Sequence, residues 1–161
     1  MLDYLQLCIY IDKNKDMIFA AYKENKAGLV VMSEPYEYVD CTEWENVSEH
    51  IIKMINEIAK QPITEDTGSN IMKIICKGKG FKQFTKKHIC IDAAYKISEK
   101  KFIISNAPRQ RDGSYGIYKG TLSEKYSTKY SSPCDTVLIQ EHFLKAYADA
   151  VQYLKETGGE L

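Results

Sequence analysis

Arginine is nearly missing from this chain, in which lysine outnumbers it 20 to 2. Base and phosphate recognition leans on the planar arginine fork, so this scarcity argues against a dedicated nucleic-acid surface. Histidine is also scarce. His50, His88 and His142 stand too far apart in the sequence to form an HExxH or HxH metal pair. No apolar run approaches the roughly 20 residues needed to cross a bilayer. The opening MLDYLQLCIYID has no basic n-region of a secretory signal, so the expected location is cytoplasmic with no membrane partner. Neither a GxSxG elbow nor a complete phosphate-binding loop occurs, and no catalytic residue is expected.

Five cysteines are present, Cys8, Cys41, Cys76, Cys90 and Cys134. Their number is odd and none forms a CxxC, which argues against a disulfide framework. They read as reduced thiols, mostly buried, with no bound metal and no cofactor. Cys76, His88 and Cys90 are the one set that strands could bring together as ligands, and the plainer expectation is ordinary sheet positions.

Net charge is zero, with 22 basic and 22 acidic residues, yet the halves differ in sign. Residues 1–66 carry 13 acidic and 6 basic side chains, whereas residues 67–161 carry 9 acidic and 16 basic. Such an asymmetry speaks about partners rather than fold. The acidity concentrates in Glu34, Glu37, Asp40, Glu43, Glu45 and Glu49, with no Lys or Arg between Lys26 and Lys53. Tyr36 and Tyr38 lie among these carboxylates and offer amphipathic contact area. These eight residues are the expected partner-binding site, where a field of one sign steers a basic protein into register.

Leu5, Leu7, Ile9 and Ile11 alternate as a half-buried strand requires. Turn chemistry at residues 13–16 and 25–28 separates it from strands at 17–22 and 29–32, an antiparallel meander. Trp44, Val47, Ile51, Met54, Ile55 and Ile58 then recur at helical spacing, in a helix opened by a Thr42–Glu45 capping box and closed at Lys60. Residues 61–70 form a connection within one domain. Further strands are expected at 71–76, 87–95, 101–105, 115–118 and 135–139, with a hairpin at 97–100. A second amphipathic helix spans 140–154, with Phe143, Leu144, Tyr147, Val151 and Leu154 on one face and Gly158–Gly159 as its stop. The fold class is α+β, antiparallel sheet with two main amphipathic helices in a single domain over residues 1–161.

Three basic features compete with the acidic one. Residues 73–101 hold nine lysines, and Phe81 and Phe84 are interleaved with them as in a nucleic-acid stacking platform. Lysines on exposed sheet edges explain the same composition. Gly78-Lys79-Gly80 reads as a permissive turn. Arg109 and Arg111 share a polar loop.

The segment FTKKHICIDAAYKISEKKFIISNAPRQRDGSYGIYKG leads into a strand and a closing helix that ends AYADAVQYL. With its Lys-led strand, hairpin, strand ending at Pro108–Arg109 and Gly-aromatic strand at 113–118, this layout resembles the bacterial contact-dependent growth inhibition immunity proteins, the CdiI class. The first half, strands then a helix, fits the same plan, and residues 121–133 form a long insertion. The resemblance implies a cytosolic antitoxin whose partner is the C-terminal toxin domain delivered by a neighbouring cell, often a nuclease. It implies no cofactor and no direct nucleic-acid contact. An acidic face can then occupy the toxin's basic phosphate-binding surface. A nucleic-acid-binding domain using residues 73–101 is the second reading, and a small enzyme the third.

Overall fold

A computed structural model describes residues 2–116 and 121–161. The expected meander forms from β1 (Tyr4–Ile11), β2 (Met17–Asn25) and β3 (Val30–Val39). Their alternating apolar residues pair antiparallel, with Ile9 opposite Phe19 and Met17 opposite Val39. A short strand, β4 (Ile63–Thr64), adds in parallel to the end of β2. Strands β5 (Ile89–Lys96) and β6 (Lys101–Ala107) form the expected hairpin, and β7 (Tyr130–Ser132) closes the far edge. The order is β3-β2-β1-β5-β6-β7, so β1 of the first half pairs with β5 of the second in one seven-stranded sheet.

Helices lie on both sides of that sheet. Against one face pack α1 (Val47–Lys60) and, late in the chain, a long helix over Thr136–Glu156. The apolar stripe of α1 is buried as its spacing requires, with Ile51 fully enclosed beside Ile9, Phe19 and Phe143. Gly158 and Gly159 do end the long helix, with their amides bonded to Lys155 and Leu154 as a Schellman turn demands.

The entry to α1 differs from expectation. Asp40, not Thr42, caps a 3-10 turn over Cys41–Asn46 by accepting from the Thr42 amide at 2.8 Å, and α1 proper begins at Val47. The carboxylate reaches the open amides two residues earlier than the hydroxyl would.

Two expected strands are helices. Residues 71–75 belong to α2 (Ser69–Ile75) with Cys76 as its C-cap, and Ile71 and Ile75 are buried one helical turn apart against the second sheet face. This tertiary contact overrides the strand preference of a β-branched run. Residues 135–139 begin the long helix instead, because Asp135 caps it by accepting from the Leu138 amide at 3.0 Å. Two further short helices are α3 (Phe81–Thr85) and α4 (Thr121–Tyr126), which makes the long helix α5. Of the strand expected at 115–118, Tyr115 makes a single bridge to Arg109, and residues 117 and 118 lie outside the described residues.

Candidate functional site

Alternation along β3 divides the expected partner-binding residues between the two faces of the sheet. Glu37 stands opposite Phe19 on the α1 side, while Tyr36 and Tyr38 stand opposite Ala20 and Ile18 on the α2 side. The two tyrosine rings meet edge to face at 6.1 Å, and Tyr38 is 52% exposed. Glu34 is exposed beside the irregularity in β3 pairing. Asp40 is occupied with its cap, whose amide bonds hold its carboxyl below the usual range.

Lysines from outside the acidic stretch reach it in space. Lys53 bonds Glu37 at 3.2 Å, and His50 lies 3.5 Å from Glu37 and 3.4 Å from Glu43. Lys15 sits 4.7 Å above the Trp44 ring. Glu45 and Glu49, both exposed, have no ion-pair partner among the described residues. Glu34 interacts electrostatically with the buried Lys23, so among the described residues the free acidity is Glu45 and Glu49, and the other carboxylates are partly spent on the protein itself.

The lysine-rich region is laid out differently from a stacking platform. Its lysines from Lys73 to Lys87 are exposed, but Phe84 is buried and Phe81 half-buried, both edge-on to Tyr10. Phe84 stacks on His88 at 3.9 Å. Gly78-Lys79-Gly80 follows a Schellman turn at the end of α2, where Gly78 donates to the Lys73 carbonyl and Lys77 to that of Ile74. Arg109 is a structural pin, donating from Nε to Thr85 Oγ1 at 2.9 Å and from Nη2 to the Lys82 carbonyl at 3.2 Å. Gly113 comes so close to α3 that a Cβ there would lie 2.8 Å from Lys82 Cα, which together with a φ of +93° requires glycine.

Behind this loop the second sheet face is only partly covered, leaving a cavity of about 640 Å³. Its wall includes Tyr10, Tyr22, Tyr115, Cys8, Cys90 and Asp92. The strand register assembles the thiols, since Cys8 lies opposite Asp92 and Tyr10 opposite Cys90. Cys8 donates to Asp92 Oδ1 at 2.9 Å and Cys90 to the same oxygen at 3.8 Å. Tyr10 and Tyr22 share a 2.6 Å hydroxyl contact, and Tyr115 donates to the His88 carbonyl at 2.7 Å.

Every acid in this cluster is held back from ionising. The hydrogen bond with Cys90, then burial and the Asp92 carboxylate, push the Cys8 thiol well up. Burial raises Cys90 and Asp92, and it raises both Tyr22 and Tyr115. Protonated thiols are poor nucleophiles, so the arrangement does not suit cysteine catalysis. Cys76, His88 and Cys90 do not converge as ligands, because the His88 Nδ1 donates to the Phe84 carbonyl at 2.7 Å and Cys90 turns to Cys8 and Asp92. Sequence reasoning missed Cys8 and Asp92, which lie 84 residues apart and meet only through β1–β5 pairing.

No family model matches the sequence, and no curated protein does. Solved structures do match the fold. A chain from the CdiA-CT/CdiI toxin and immunity complex of Yersinia pseudotuberculosis superposes with a TM-score of 0.63 at 10% identity, covering 92% of this chain and 98% of that one. A protein of unknown function from Neisseria meningitidis gives 0.61 at 9% identity, covering 90% and 94%. The α+β fold is thus shared with these proteins nearly end to end.

Proposed function

We propose that the protein is a cytosolic immunity protein of a contact-dependent growth inhibition system, binding the C-terminal toxin domain of its cognate partner and blocking it. The observation that carries this reading is the end-to-end likeness in fold to a chain from a toxin and immunity complex. The acidic edge supports it. Glu34, Glu45 and Glu49 are exposed carboxylates and Tyr38 is an exposed ring, the chemistry that attracts and holds a basic protein surface. If the toxin is a nuclease, its phosphate-binding surface is the basic patch these carboxylates meet.

Neutralisation by occupancy requires no catalytic group in the inhibitor. The enzyme reading is disfavoured by thiols held protonated, and the nucleic-acid reading by aromatic rings turned inward from the lysines.

Charge reversal tests the docking face. Glu45→Lys with Glu49→Lys is expected to slow toxin association and flatten its salt dependence, since steering charges act chiefly on the on-rate. Lys79→Glu with Lys82→Glu and Lys86→Glu is expected to leave association unchanged. Silent acidic reversals combined with lost protection in the lysine variant would transfer the site to residues 73–101.

A further inference from the structure

Among the described residues, two groups of three side chains bring potential ligand atoms within 4.8 Å of one another: Asp16–Asp40–Cys41 and Cys8–Cys90–Asp92. The first is exposed and its carboxylates serve backbone amides, Asp16 that of Cys41 and Asp40 that of Thr42. The second stands on two paired central strands, the rigid elements on which a ligand set keeps its geometry. It also borders the cavity, which gives an ion access and room.

We propose that Cys8, Cys90 and Asp92 form a zinc site with three protein ligands and a water in the fourth position, facing the cavity. Zn–S bonds of about 2.3 Å and Zn–O bonds of about 2.0–2.2 Å, arranged tetrahedrally, place neighbouring ligand atoms about 3.6–3.8 Å apart. Present separations of 2.9 Å for Cys8 Sγ to Asp92 Oδ1 and 3.8 Å for Cys90 Sγ to the same oxygen bracket that spacing. Small side-chain rotations accommodate the ion without moving the strands. Two sulfur donors and one carboxylate suit zinc over calcium or magnesium, which take oxygen shells.

On binding, each thiol releases its proton to solvent as its Zn–S bond forms. Asp92 exchanges the thiol protons it accepts for the metal. Two thiolates and a carboxylate leave one negative charge over the ion, and Lys129 on the cavity wall is the nearby cation that offsets it. A Cys8–Cys90 disulfide is the competing use of the pair, but the register opposes it. Cys8 lies directly opposite Asp92, whereas Cys90 is its diagonal neighbour two positions along β5, a less direct pairing.

The test uses the full chain, stripped with a chelator under reducing conditions and titrated with zinc or cobalt. One ion per chain is expected, and the cobalt form should show a thiolate-to-metal charge-transfer band with the intense visible absorption of a tetrahedral centre. Cys8→Ser and Asp92→Asn should each weaken zinc binding by more than the about 10–100-fold typical of losing an outer-shell partner, while Cys41→Ser should leave it unchanged. Should a variant fail to fold, the wild-type protein still decides. Zinc must slow alkylation of the partly exposed Cys8 and leave that of exposed Cys134 unaltered. Equal labelling of Cys8 with and without zinc, a metal signal abolished by Cys41→Ser, or a Cys8–Cys90 disulfide in the fresh protein would each overturn the proposal.

Discussion

The two faces of the sheet are built from the same strands and do different work. Against α1 and α5 the sheet presents Leu7, Ile9, Ile11, Phe19, Ile91 and Ile104, all closed off from solvent and free of polar groups. Against the shorter α2 and α3 it presents Tyr10, Cys8, Cys90 and Asp92, and the cover stops short of enclosing them. Helix length accounts for the contrast. The 21 residues of α5 span several strands, whereas α2 and α3, with 7 and 5 residues, reach only part of the sheet. One face supplies the stability that lets the other keep a cavity lined by polar side chains.

The sharpest way to break this comparison is to remove a ring from each face. Phe143→Ala, on the closed face, is expected to lower unfolding free energy by about 3–5 kcal/mol, and Ile51→Ala by about 2–5 kcal/mol. Phe81→Ala removes a half-buried ring from the cavity wall, where space already exists, and should cost less than Phe143→Ala. Chemical denaturation of the three variants decides, and equal costs for the two phenylalanines would erase the distinction.

A smaller effect comes from Tyr22→Phe, which deletes the hydroxyl contact with Tyr10. The expected loss is about 0.5–1.5 kcal/mol in the same measurement, the net value of one hydrogen bond.

Smaller again is a pH effect, of known direction, at His88. Burial lowers its pKa from the ordinary 6.5, so the unfolded chain takes up the proton first. Its contribution to stability is complete above about 6.5 and is lost as pH falls from there towards the depressed native value. Asp92 acts in the opposite sense at lower pH, because burial raises its carboxyl from 3.8 and the native state gains as that group is protonated. Comparing wild type with His88→Asn at about pH 7.5 and about pH 5.5 isolates the histidine, and the variant should lose less on acidification.

Legibility in the sequence followed the same division. The closed face was readable because β1, α1 and α5 each repeat apolar residues at the period of their own structure, as in Leu5-Leu7-Ile9-Ile11 and Val47-Ile51-Met54-Ile55-Ile58. The open face was not. Ile71, Ile74 and Ile75 look like a strand locally, and only docking of Ile71 and Ile75 on the sheet makes them helical. Cys8 and Asp92 carry no local motif, since strand pairing joins them across 84 residues. The acidic stretch was visible as composition, but Lys53 and Lys15 enter it only through folding. Glu45 and Glu49 are left as exposed carboxylates outside either core. Reversing both should cost no more than about 1 kcal/mol, mostly from losing the favourable carboxylate in the first turn of α1 at Glu49.

Direct binding tests the central claim most closely. The purified protein is titrated calorimetrically with the C-terminal domain of the large toxin gene expected beside its own, and toxin activity is followed in parallel. The account predicts a one-to-one complex that silences the toxin and weakens as salt is raised. No heat of binding and an undiminished toxin would contradict it.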